Sequence, residues 1–358
     1  MCLCLVLGAC SGSDSAGNSS IGSDARLGPG SFTKNTYVAD SAPQWDYYVY
    51  IPSNLPAGAV PLVVYLHGCE QTATDAALGT LWNQAAEEHG FIVVYPEQRL
   101  SSASDATGNP TDGNGGRCWN WFVPEDQQRG AGEPATIAGI TQTVMAAHAV
   151  DPMRVYVIGV SAGAGMSSIM GATYPDLYAA IGIVAGVPYG GGDLSGAQAA
   201  QAMGAHERVM PVFVMHGTAD EVAAFPLGVA AVQQWLGTDD LVDDGSADNS
   251  ISRMPASTET HGLDPSVIAG VGNIGDLCIT PPLALPCLGA AAGLDAYPYS
   301  VLHYADRAGQ PLLDFWIIYG AGHTYVGGSR NGSFTDPLGP STTNAAYDFF
   351  MAHPRTSP

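Results

Sequence analysis

Short, unbroken apolar runs recur along the chain at 60–66, 91–95, 154–158, 179–184, 211–215 and 314–319. A strand with one face in water alternates apolar and polar residues, so runs that are apolar at every position suit strands covered on both faces. An earlier segment, 45–51, is rich in β-forming residues and stops at Pro52, as an outer strand would. Between the runs the period changes. Ile137, Ile140, Val144 and Ala147 fall on one side of a helix, and the small-residue stretch 162–174 ends before Pro175. Alternating strands and helices predict an α/β domain, a mostly parallel central sheet with helices on both faces.

Two segments break the rhythm. Residues 101–116 are polar and glycine-rich, and a stretch at about 237–295, between the fifth core strand and the last, is dense in Gly, Ala, Pro and Asp. Both read as excursions from the sheet, the second forming a cap over a site or a decorated surface loop. The expected domain therefore runs from 31 to 358 with that insertion. Ahead of it, residues 1–10 are apolar and end in Leu7-Gly8-Ala9-Cys10, resembling a bacterial lipobox with Cys10 as the lipidated residue. Residues 11–30, rich in Ser and Gly, read as a flexible tether. An ordinary secretion signal and a merely apolar terminus are the other readings. No other stretch is long and apolar enough to span a bilayer.

Charge narrows the partners. The chain of 358 residues carries 33 acidic against 11 basic side chains, a formal net charge of -22. Nucleic acids and anionic membranes are bound by clustered Lys and Arg, so neither is an expected partner; membrane contact is expected only through an anchor at Cys10. Three of the seven cysteines lie in the leader, leaving Cys69, Cys118, Cys278 and Cys287. An even number suits an exported, oxidised protein. Of three possible connectivities, proximity favours Cys278 with Cys287 and Cys69 with Cys118. No Cys-x-x-Cys or tight Cys/His cluster suggests zinc.

Gly159-Val-Ser161-Ala-Gly163 matches the G-x-S-x-G elbow, in which glycines permit a sharp strand-to-helix turn that lifts a serine above the sheet. It follows the run 154–158 and opens the small-residue helix, which is the required context. A serine hydroxyl needs a base, and the base needs a carboxylate to hold its tautomer. Asp220 in His216-Gly-Thr-Ala-Asp220 follows one strand and His323 in Gly320-Ala-Gly-His323 follows the last, the Ser, Asp, His order of α/β-hydrolases. Glu221 and Asp193 are alternative acids. His67 and His216 read as residues that shape their own turns. Donors for a developing oxyanion are expected from the Ala162 N–H and from the loop His67-Gly-Cys69-Glu-Gln71, at the Cys69 N–H. The Cys69 thiol is itself a possible nucleophile, unless pairing with Cys118 removes it. Trp119 and Trp121 read either as core packing or as flat walls for substrate, Trp119 being the candidate subsite.

Taken together, Leu66-His-Gly-Cys-Glu-Gln-Thr72, Cys118-Trp-Asn-Trp-Phe122, Arg129-Gly-Ala-Gly-Glu133, Val150-Asp-Pro-Met-Arg-Val-Tyr156, the elbow, Ala185-Gly-Val-Pro-Tyr189 and Gly322-His-Thr-Tyr-Val-Gly-Gly-Ser329 resemble the polyhydroxybutyrate depolymerase family of esterases. The resemblance runs from about Trp45 to Phe350. It implies an α/β-hydrolase fold and hydrolysis of polyester or related esters through an acyl-serine, without metal or organic cofactor. Ala164-Gly165 stands where the family commonly has Gly-Ala. Neighbouring feruloyl and acetylxylan esterases give the runner-up substrates, and an inactive surface lipoprotein that binds without cutting is the alternative of another class.

Overall fold

The computed structural model describes residues 25–38, 44–102, 113–262 and 296–356. Its centre is a ten-stranded sheet. In chain order the strands are β1 (Ser31–Tyr37), β2 (Trp45–Ile51), β3 (Val60–Leu66), β4 (Ile92–Pro96), β5 (Val150–Val160), β6 (Ala180–Val184), β7 (Val212–Gly217), β8 (Ser257–His261), β9 (Tyr299–Ala305) and β10 (Pro311–Ile318). Their spatial order is β1-β2-β4-β3-β5-β6-β7-β10-β9-β8. The inner six, β4 to β10, run parallel, and two antiparallel strands flank them at each edge.

The apolar runs become strands because both faces are covered. In β3, Leu62, Val64 and Leu66 enter one buried cluster while Val63 and Tyr65 enter the other. The first cluster is closed by helices α3 (Gly132–Ala147), α4 (Ala162–Thr173), α5 (Ala197–Met203) and α6 (Phe225–Asp244). The second is closed by α1 (Ala73–Thr80), α2 (Trp82–His89) and α7 (Thr342–Ala352). A short two-stranded pair, β11 (Tyr325–Val326) with β12 (Thr335–Asp336), folds the segment after β10.

The segment at 237–295 departs from its expectation at its start. Helix α6 continues without a break to Asp244, and β8 then joins the sheet edge. Gly237 permits this: a Cβ there would sit 2.5 Å from the Ser195 carbonyl oxygen, so its absence lets the helix pack closely against the approach to α5. Cys278 and Cys287, Cys10 with the leader, and most of the 101–116 loop lie outside the described residues. No helix among the described residues is long and apolar enough to cross a membrane.

Candidate active site

The carboxyl ends of β3, β5, β7 and β10 meet at one edge of the sheet, where open α/β folds place ligands. Ser161 occupies the turn from β5 into α4 with φ 57° and ψ -121°, a conformation that an L-residue rarely adopts. The turn is held by the Ser161 N–H donating to the Val184 carbonyl at 3.0 Å. Both flanking glycines are required by contact. A Cβ on Gly159 would lie 2.2 Å from the Gly163 carbonyl carbon, and one on Gly163 would lie 2.1 Å from the Leu66 oxygen.

Three side chains from three strand ends form one hydrogen-bonded row. His323 Nε2 is 2.9 Å from Ser161 Oγ, and His323 Nδ1 is 2.8 Å from Asp220 Oδ2. Because a carboxylate only accepts, Nδ1 carries the proton and Nε2 is free to accept one from the serine. Asp220 is a buried carboxylate with both oxygens engaged. Its Oδ1 accepts from the Val222 and Ala223 N–H groups at 2.9 Å each, and Oδ2 also lies 3.4 Å from His216 Nε2. Burial alone pushes the acid upward; the bonds from His216 and His323 outweigh it and hold Asp220 below the usual carboxylate range. Of the alternative acids, Glu221 is exposed and Asp193 binds Ser195 and the Gln198 N–H at the start of α5.

The two other histidines shape turns. His67 donates from Nδ1 to the Gly68 carbonyl at 2.7 Å and accepts the Gln98 N–H at Nε2 at 3.0 Å, and its burial lowers the imidazole to about 4. His216 donates from Nε2 to the Ala223 carbonyl at 2.6 Å, bracing the turn that carries Asp220.

The loop after β3 approaches Ser161 from the opposite side. Cys69 is disulfide-bonded to Cys118, and the Glu70 N–H donates to the Gly116 carbonyl, so this loop and the Cys118 loop are fastened twice. Among the described residues, the Cys69 and Ala162 N–H groups donate to no protein acceptor. The Cys118 loop is anchored by a buried carboxylate that the sequence did not single out. Glu133 accepts from Gln98 Nε2, Asn120 Nδ2 and the Asn120 N–H, and burial pushes its carboxyl well above the ordinary range. It joins the strand exit carrying Gln98 to the Cys118 loop.

Trp119 does not line the site. Its side chain is fully buried, stacked on Trp45 at 5.8 Å between ring centroids and lying 5.6 Å from the His67 ring, so substrate has no access to it. The subsite reading is corrected to core packing: the aromatic adjacent to the disulfide turns inward, beneath the loop. Trp121 is half-buried over α4, its Cγ 3.0 Å from where a Gly165 Cβ would stand, which gives a steric reason for glycine at that position.

The cleft above Ser161, about 190 Å³, is walled instead by Val160, Val222 and Phe334, with Gly68 to Gln71 along one side. Val222 and Phe334 are 75% and 48% exposed. Val222 carried no sequence signal; Phe334 lies in Gly332-Ser-Phe-Thr-Asp336, a block that resembles the family's histidine loop, but nothing in that block marked it as a wall of the cleft. The arrangement has the parts for acyl transfer: a hydroxyl on an imidazole, a carboxylate holding the tautomer, and two N–H groups beside the hydroxyl.

Comparison with known proteins agrees with this architecture. The acetyl xylan esterase from Aspergillus awamori superposes on 90% of this chain and 100% of its own with a TM-score of 0.59 at 21% identity, a likeness of fold. The α/β-hydrolase architecture is therefore present. Poly(3-hydroxyalkanoate) depolymerase C of Paucimonas lemoignei is 45% identical over 142 residues, covering 40% of this chain and 31% of its own. Acetylxylan esterase A of Emericella nidulans is 35% identical over 163 residues, 45% of this chain and 49% of its own. The matches thus span 31% and 49% of these curated relatives, less than half of either. The esterase PHB depolymerase family model matches residues 45–258, more than half of the sequence, and the chain belongs to that family.

Proposed function

We propose that this protein is an exported serine esterase, with Ser161 as nucleophile, His323 as general base and Asp220 as the acid that orients it. The observation that carries the reading is the hydrogen-bonded row Asp220–His323–Ser161 beside two unengaged N–H groups. His323 Nε2 takes the Ser161 proton as Oγ attacks the ester carbonyl. The Cys69 and Ala162 N–H groups hold the oxyanion, and the imidazolium returns its proton to the departing alkoxide. Water then attacks the acyl-serine by the same route, releasing the acid and restoring the serine. The Cys69–Cys118 disulfide supports an oxidising setting outside the cytoplasm.

The substrate we infer is a hydroxyalkanoate polyester or its short oligomers. Apolar walls around a small cleft suit an uncharged aliphatic ester better than a hydroxylated ring, which needs hydrogen-bonding partners. Acetyl release from xylan is the second reading, favoured by the Emericella nidulans relative and by the cleft's modest volume.

Ser161→Ala is expected to lower p-nitrophenyl ester turnover by a factor on the order of 10³ or more, with the fold intact, and Asp220→Asn is expected to be severely impaired. A fluorophosphonate that labels a serine other than Ser161 overturns the assignment. Release of 3-hydroxybutyrate from amorphous particles and soluble oligomers, set beside acetate release from xylan at equal enzyme, separates the two substrates.

A further inference from the structure

Of the seven non-glycine residues with positive φ among the described residues, three line the cleft: Glu70 at 66°, Ser161 at 57° and Phe334 at 53°. For Ser161 the elbow explains it. For Phe334 nothing in the turn does, since a bulky aromatic is among the residues least suited to the left-handed region.

The surroundings impose that conformation on Phe334 from both sides. Just before it, the Ser333 N–H donates to Asp75 Oδ1 at 3.0 Å and the Ser333 hydroxyl to Asp75 Oδ2 at 2.5 Å. The Ser333 carbonyl accepts Gln71 Nε2 at 2.8 Å, and Gln71 Oε1 accepts the Gly68 N–H at 2.8 Å in the oxyanion loop. Its own carbonyl accepts the Tyr325 N–H at 2.8 Å and the Thr324 hydroxyl at 3.1 Å, from the two residues that follow His323. Phe334 is thereby fixed between the base and the oxyanion loop, with its ring half in solvent. Val222, two residues beyond Asp220, stands exposed on the same cleft.

An aromatic ring held at a conformational cost, yet left exposed, stabilises nothing in the empty protein that an inward-facing residue would not stabilise better. We propose that Phe334, with Val222, is the specificity-determining wall of the cleft, packing the short hydrocarbon next to the scissile ester. Among the described residues, Glu70 is the single carboxylate lining the cleft, so the preferred substrate is an uncharged aliphatic ester, with anionic chain ends disfavoured. The inference rests on the serine-esterase reading and extends it from reaction to substrate class.

Phe334→Gly is the discriminating variant, because glycine favours this backbone and folding is not put at risk. Val222→Ala probes the wall from an exposed position, and Leu194→Ala, an exposed apolar residue that does not line the cleft, is the control. The measurements are kcat/KM for p-nitrophenyl acetate against butyrate, and for ethyl acetate against butyl acetate, with thermal stability and fluorophosphonate labelling of Ser161 in parallel. Burial of two methylenes on the ring corresponds to about a fifteenfold preference for the longer chain. That preference should collapse in Phe334→Gly, shrink in Val222→Ala and persist in Leu194→Ala, in one series or the other, without loss of melting temperature. Turnover that persists with both ratios unchanged in the two wall variants overturns this inference alone. Absence of both turnover and labelling in the wild-type protein overturns the esterase reading and this inference together.

Discussion

At the residue scale, the histidines show how one side-chain type divides into separate roles. His323 has a carboxylate on one nitrogen and a hydroxyl on the other, whereas His67 is buried with backbone groups on both nitrogens. Burial holds His67 neutral down to about pH 4, while the unfolded chain takes up that proton near pH 6.5. The unfolded state therefore binds more protons between those values, and stability rises with pH across the window and is lost as pH falls through it. The contribution is about 3 kcal/mol, as an order of magnitude. Urea denaturation of wild type at pH 7 and at pH 4.5 should show this loss, and His67→Gln should show a smaller one. An equal loss in both removes His67 from the account. The hydrogen-bonded row of Asp220, His323 and Ser161 was legible as a candidate site because each residue follows an apolar strand and their order matches that of α/β-hydrolases. The block Gly332-Ser-Phe-Thr-Asp336 was legible as a resemblance but the place of Phe334 on the cleft was not, since what sets it is a pair of bonds from the neighbouring Ser333 to Asp75 and Gln71, more than two hundred and fifty residues away in sequence.

At the element scale, the inner strands were legible for a physical reason, and the edges were hidden for the converse one. Strands buried on both faces leave continuous apolar runs, while β1 (Ser-Phe-Thr-Lys-Asn-Thr-Tyr) and β8 (Ser-Thr-Glu-Thr-His) are largely exposed and polar. Helix α6 was obscured by its aspartates, which read as loop; Asp239 is in fact buried and accepts the Met210 N–H at 2.7 Å. Trp119 was ambiguous because a residue next to the site is also next to the core. The Cys69–Cys118 disulfide closes a loop with a sequence separation of 49, for which chain entropy gives about 4 kcal/mol of stabilisation. Cys118→Ser should lower stability by up to about that amount. It should also reduce kcat under conditions where the protein stays folded, since the same bond restrains an oxyanion donor. Loss of stability with kcat unchanged would make the bond purely structural.

At the scale of the whole molecule, charge and assembly order dominate. With 33 acidic and 11 basic residues, self-repulsion opposes the compact state wherever carboxylates crowd, as at the end of α6, where Asp243 and Asp244 share Arg307. Salt screens such repulsion over about 10 Å at 0.1 M. The melting temperature should therefore climb by several degrees between roughly 0.05 and 1 M sodium chloride; a flat or falling curve would mean that local pairing already balances the charge. The separation of Ser161 from His323 by 162 residues has a temporal meaning. Translation at roughly 5–20 residues per second places Ser161 outside the ribosome on the order of ten seconds before His323. During that interval the serine has no partner to take its proton, and it gains one only when β10 pairs alongside β7. On the proposed mechanism, ester cleavage therefore waits on completion of the sheet at β10, and a fragment that stops short of that strand holds the hydroxyl without its base.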